Sequence, residues 1–201
     1  MKKMVNDFIK AVMAGVAICI GAIVFLNVEN RIVGAFLFST GLYTICSQAL
    51  NLYTGKVGYI VNSDKPLEYI SFLIIVWLGN FLGVLGSALA ISSTRLNLIS
   101  KASTLCEIKN ADNLLSLFVL GIFCGLLMYA AVDGYKKTTN PFILFLCVMT
   151  FILAGFEHSI ADMAYYTLAN MLDMNALIRL FIITLGNAVG GILLPLSTKK
   201  Q

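Results

Sequence analysis

Leu78-Gly79-Asn80-Phe81-Leu82-Gly83 returns 107 residues later as Leu185-Gly186-Asn187-Ala188-Val189-Gly190. Both copies lie in long apolar runs, and each closes a set of three such runs, so the chain reads as two halves, about 8–91 and 114–196. Three crossings is an odd number. The second half therefore enters a bilayer with topology opposite to the first, which is the inverted-repeat plan of many channels and transporters. The same glycines also suit ordinary small-residue helix packing, so the motif alone leaves that reading open.

Composition places the chain in a membrane. Of its 201 residues 59% are hydrophobic and 12% charged, with three prolines, too little polar residue to coat a soluble globule. Six apolar stretches run from about Phe8 to Leu26, Ile32 to Ile60, Leu67 to Ile91, Leu114 to Val132, Pro141 to Leu168 and Ala176 to Leu196. Each reaches or exceeds the roughly 20 residues that cross about 30 Å of hydrocarbon as a helix. The expected fold is an all-α integral membrane protein of six transmembrane helices, a single domain over 1–201. The first stretch lacks a small-residue cleavage site and is expected to stay in the bundle rather than be removed as a signal peptide.

An even number of spans puts both ends on one side. The basic ends Met1-Lys2-Lys3 and Ser197-Thr198-Lys199-Lys200, with Lys136 and Lys137 between the fourth and fifth spans, favour the cytoplasm for that side. Arg31, Arg95, Lys101, Lys109 and Arg179 fall on the other side and moderate the bias. The net charge of +4 thus bears on orientation, and nothing resembles a basic nucleic-acid stripe. Cys19, Cys46, Cys106, Cys124 and Cys147 occur singly and read as small hydrophobes. With one histidine and no CxxC spacing, no metal or other cofactor is expected.

Two of the six stretches are interrupted. The second contains Asn51-Leu52-Tyr53-Thr54-Gly55-Lys56-Val57-Gly58, and the fifth contains Gly155-Phe156-Glu157-His158-Ser159-Ile160-Ala161-Asp162. Irregular backbone survives at membrane depth only where protein or a water cavity satisfies it, so breaks at matching places in two halves point to a midplane site. Thr54 and His158, the one histidine, are expected to meet near the centre of the bundle. Ionisable groups at that depth usually mark a path for ions or protons.

Taken together, Leu52-Tyr53-Thr54-Gly55, Gly79-Asn80-Phe81-Leu82-Gly83, Gly155-Phe156-Glu157-His158-Ser159-Ile160-Ala161 and Leu185-Gly186-Asn187 resemble the formate/nitrite transporter family, which includes hydrosulfide channels; the span-five motif is the specific one. The resemblance implies a homopentamer of aquaporin-like protomers in a bacterial inner membrane, each with its own pore and with spans two and five broken. It implies passage of small monovalent anions or their conjugate acids and no enzymatic activity. By the same resemblance His158 matches a central pore histidine, Thr54 a loop threonine that hydrogen-bonds it, and Lys109 a vestibule lysine. Phe38, Leu42 and Phe151 resemble one hydrophobic constriction, and Leu52, Tyr53 and Met128 the other. Glu157 reads as a supporting acceptor that ties its loop to a neighbour.

Three positions depart from the family pattern. Gly125 follows the fourth-span cysteine where asparagine is usual, Asp162 replaces the asparagine of Ala-Asn-Met, and Asp133 stands where tryptophan is common. They are expected to touch the pore lining and its charge, and so substrate choice. The expected mechanism draws an anion toward Lys109 and protonates it from His158, or from water beside it, because a bare charge meets a steep desolvation penalty in an apolar constriction. Histidine suits this, with an unperturbed pKa of about 6.5. A second form of the mechanism keeps His158 neutral, donating a hydrogen bond to the anion. Phe151 and Tyr53 are expected to narrow the path on opposite sides of His158, with Phe151 about 10 Å away by helical rise. The rival class, a channel for small neutral solutes of the aquaporin or urea-channel kind, lacks its paired Asn-Pro-Ala signatures here, since Asn140-Pro141 is followed by Phe142.

Overall fold

A computed structural model describes residues 2–198; the basic pair Lys199 and Lys200 lies outside the described residues. In chain order the helices are α1 (Lys2–Asn27), α2 (Arg31–Ser47), α3 (Tyr53–Lys56) running into a 3₁₀ segment (Val57–Asn62), α4 (Pro66–Ser92), α5 (Ile99–Ala111), α6 (Leu114–Thr138), α7 (Phe142–Ala154), α8 (Ser159–Leu168) and α9 (Met174–Thr198). Four of them, α1, α4, α6 and α9, are unbroken and long and apolar enough to cross a bilayer. At the expected fifth span, the pair α7 and α8 is long and apolar enough only when the two are taken together, and it is bent by 57° at its break. At the place of the expected second span stand α2, an apolar helix of only 17 residues, and the short α3 and 3₁₀ segment beyond it.

The break in this second span comes slightly earlier than the sequence suggests. Helix α2 stops at Ser47, the irregular stretch covers residues 48–52, and Thr54 already lies inside α3. The turn is made without glycine: Ala49 itself takes a left-handed φ of 50°. In the fifth span the reversal does use glycine, with Gly155 at φ 77° closing α7. The 13-residue α5, between the two halves, is an addition to the six expected spans and packs against α8.

The two halves are built on the same close helix pair. In the first, α1 lies against α4; a Cβ on Gly83 would sit 2.0 Å from the Val12 carbonyl oxygen. In the second, α6 lies against α9, and a Cβ on Gly190 would sit 1.8 Å from the Ile122 carbonyl oxygen. These contacts are backbone on backbone, so no side-chain rotation relieves them. Small residues let membrane helices approach closely enough for dispersion contacts to hold them where no hydrophobic drive exists. The halves also meet directly: Trp77 Nε1 donates to Thr184 Oγ1 at 3.1 Å, and these residues each stand one place ahead of the repeated Leu-Gly-Asn.

Candidate pore site

Each break exposes backbone groups that cannot be left unpaired in a dry interior. The asparagine of each repeat satisfies them. Asn80, fully buried, donates through Nδ2 to the Ala11 and Asn51 carbonyls at 2.7 and 2.8 Å and accepts from the Tyr53 N–H at 2.9 Å. Asn187, equally buried, donates to the Gly121 and Glu157 carbonyls at 2.9 and 2.8 Å and accepts from the Ser159 N–H at 2.9 Å. One amide thus clamps a long helix to both rims of each break. The motif is more than small-residue packing, and this role escaped sequence reading.

The clamps bring Thr54 and His158 together, 104 residues apart in sequence, with Thr54 Oγ1 2.9 Å from His158 Nε2 and both side chains buried. His158 is also the N-cap of α8: its Nδ1 accepts the Ala161 N–H at 3.1 Å. A ring nitrogen that accepts cannot carry a proton, so the proton of the neutral ring resides on Nε2 and is donated to Thr54. Charging the ring would set a second N–H against the Ala161 N–H, at the positive end of a helix.

The hydrophobic candidates fall into two groups. Phe38 and Phe151 meet edge to face with centroids 5.9 Å apart, and Leu42 is buried in the same core. The Phe151 ring stacks on His158 itself, centroids 5.5 Å apart at 24°. The separation of about 10 Å expected from helical rise is not found, because the break and the 57° bend fold His158 back over the end of α7. Leu52, Tyr53 and Met128 are buried as well, with Leu52 and Tyr53 at the start of α3.

Two cavities approach this centre. One of about 340 Å³ is lined by Phe151 and His158 together with Lys109, Glu157 and Asp162. Another of about 650 Å³ reaches Leu52 and Gly55 and carries Lys56 and Lys136. Lys136 sits over the Tyr59 ring, 4.9 Å from its centroid.

Lys109 is not a free vestibule cation. It is partly buried and pairs with Glu157 Oε2 and, at 3.0 Å, with Asp162 Oδ1. Helix α5 is held for this by Arg179, whose guanidinium donates to the carbonyls of Lys109, Asn110 and Asp112 at 2.7–2.8 Å. Of the three departures from the family pattern, only Asp162 lines the cavity beside His158. Gly125 faces α9, where a Cβ would lie 2.2 Å from the Asn187 carbonyl oxygen, so packing rather than pore lining explains it. Asp133 accepts the Tyr59 hydroxyl at 3.2 Å and pairs with Lys137 at 2.6 Å.

Long apolar helices, two clamped helix breaks and a buried polar contact between two cavities mark a multi-pass membrane protein. The chain belongs to the formate/nitrite transporter family, whose model matches residues 1–198. It is 23% identical to the formate channel FocA of Haemophilus influenzae over 181 residues, covering 78% of this chain and 64% of that protein. It is 28% identical to the uncharacterized transporter YwcJ of Bacillus subtilis over 181 residues, 80% of this chain and 70% of that protein. Among solved structures, an FNT family ion channel superposes with a TM-score of 0.84 at 21% identity, over 94% of this chain and 87% of that one. A pentameric formate channel with formate bound gives 0.83 at 24%, over 94% and 93%. At these identities the structural likeness concerns the fold.

Proposed function

We propose that the chain is a channel for small monovalent anions or their conjugate weak acids, of the formate, nitrite or hydrosulfide type, and that it catalyses no reaction. It assembles as a homopentamer in a bacterial inner membrane, with both termini and the cavity carrying Lys56 and Lys136 on the cytoplasmic side. The observation that carries this reading is the buried Thr54–His158 contact, set where two clamped helix breaks meet between two cavities. Family membership and the likeness to a pentameric channel with formate bound support the substrate class and the assembly.

In this reading His158 stays neutral. Its Nε2–H is the donor that an anion meets after leaving the smaller cavity, and Thr54 holds that donor in place when no anion is there. The proton that neutralises the anion comes from water rather than from the ring, since Nδ1 is engaged by Ala161. A neutral acid then crosses the apolar side chains of Leu52, Tyr53 and Met128 without the desolvation penalty of a charge.

The test is flux into proteoliposomes of formate, nitrite, hydrosulfide, lactate and urea, with mass measurement of the detergent-solubilised assembly. Uptake of the small weak acids by a pentamer is the expected result. Passage of urea without weak acids would assign the pore to neutral solutes instead.

A further inference from the structure

The smaller cavity holds a charge arrangement that the channel reading leaves unused. Its lining brings two cations, Arg31 and Lys109, and two carboxyls, Glu157 and Asp162. Arg31 donates to the Ile152 carbonyl at 3.1 Å. Lys109 is shared between both carboxyls. Asp162 is 2% exposed, and its Oδ2 has no hydrogen-bond partner among the described residues. Its carboxyl and that of Glu157 both touch the one Lys109 ammonium, which makes the two carboxyls close neighbours. Two ionised carboxylates around a single ammonium repel each other in a dry interior, and one proton on the pair relieves that repulsion.

The other groups near Asp162 supply no second cation at its free oxygen. Helix α5 offers Cys106 beside Lys109, and α6 offers Cys124. Helix α8 itself adds Tyr165 and Tyr166. His158 spends Nδ1 on Ala161 and Nε2 on Thr54. Arg179, from α9, is turned to the carbonyls at the end of α5.

We propose that Asp162 is a proton-binding site that sets the charge of this cavity and, with it, the entry of anions. With Asp162 ionised, the two cations and two carboxylates cancel. With Asp162 protonated, the cavity carries one net positive charge, and an anion is attracted. Acidification therefore opens the cavity to anions at the same time as it raises the share of neutral acid. The step is a simple exchange: the carboxylate takes a proton from water on the cavity side and returns it there as the pH rises. This rests on the channel reading above, and it places the channel's own pH sensitivity on Asp162 rather than on His158.

The experiment compares the full chain with Asp162→Asn and Asp162→Glu in lipid, by infrared spectroscopy and by formate uptake from about pH 5 to 8. At the acid end the parent should show the C=O stretch of a protonated carboxyl that fades as the pH rises, absent in Asp162→Asn and displaced in Asp162→Glu. At the alkaline end Asp162→Asn should take up formate about tenfold faster than the parent, the factor one unit charge roughly 10 Å away contributes at an effective dielectric near 20. The two curves should converge at the acid end. Parallel pH curves, or a spectrum unchanged by either substitution, would overturn the proposal while leaving the channel intact. If none of the proteins carries any weak acid, the channel reading falls, and the infrared band still decides whether Asp162 holds a proton. Should the asparagine variant fail to insert, the displaced band of Asp162→Glu decides the same point.

Discussion

Replacing His158 with asparagine separates the two tasks that its ring performs. Asparagine is among the best N-cap residues, so the Ala161 N–H that now bonds to Nδ1 keeps an acceptor, and stability should change by less than about 1 kcal/mol. What disappears is the Nε2–H that reaches Thr54 Oγ1 at 2.9 Å. A hydrogen bond to a charged group contributes about 1.5–3 kcal/mol, so formate uptake should fall roughly ten- to hundredfold. The pH profile is the sharper readout. A ring that stays neutral contributes no titration of its own, and the His158→Asn curve should be the parent curve scaled down. Thr54→Val, which keeps the side-chain volume and removes the hydroxyl, should also slow uptake, and the double variant should lose less than the product of the two single losses because the groups act as one unit. Stopped-flow uptake into proteoliposomes, with the folded yield checked by gel filtration, measures all of this. A flattened pH response in His158→Asn would show that the ring itself takes and gives protons. Full-rate uptake with an unchanged curve would remove it from the path altogether.

Three further outcomes follow from the packing. Asn187→Leu strips the partners from the Glu157 carbonyl and the Ser159 N–H at a buried break, at about 1–3 kcal/mol for each unpaired group, so folded yield and melting temperature should drop, and Asn80→Leu should do the same in the other half. Gly190→Val drives a Cβ to within 1.8 Å of a backbone oxygen and should prevent assembly, whereas Gly86→Ala, with nothing within 4 Å of the new atom, should be silent in the same yield assay. Phe151→Ala removes a ring that packs on both Phe38 and His158 and should admit lactate; an unchanged size cutoff would make this ring a packing residue only.

Much of the scaffold was legible because membrane length and repeat symmetry are properties of the sequence. The Thr54–His158 contact follows from both: matched breaks in inverted halves must face each other. Helix α5 was not legible, since Ile99–Ala111 mixes polar and apolar residues without a strong apolar face. The state of Lys109 was hidden for a different reason. Its partners Glu157 and Asp162 stand 48 and 53 residues away, and only the seating of α5 against α8 brings them to it. The clamping role of the asparagines did leave a trace. Asn80 follows Tyr53 by 27 residues and Asn187 follows Ser159 by 28, so a buried amide at nearly the same offset from each break could have been paired with the backbone it satisfies.

The same clamps show where the two halves stop being alike. Asn80 bonds to Asn51 and Tyr53, which flank Leu52; Asn187 bonds to Glu157 and Ser159, which flank His158. Leu52 and His158 are therefore equivalent positions in the repeat, each the residue before a short helix at a break. Leu52 makes no side-chain cap, while His158 caps α8 through Nδ1. The backbone chemistry at the two breaks matches, and the difference between them lies in one apolar and one polar side chain. In the proposed channel, an anion arriving from the smaller cavity would reach a hydrogen-bond donor before the apolar side chains, and one arriving from the larger cavity would meet Leu52 first. The charges repeat this asymmetry: Lys109 is matched by carboxylates on the histidine side, and Lys56 and Lys136 line the cavity on the leucine side, with no carboxylate among its lining residues. In the proposed channel, selectivity would follow from the histidine that the second half carries at the position where the first half has a leucine.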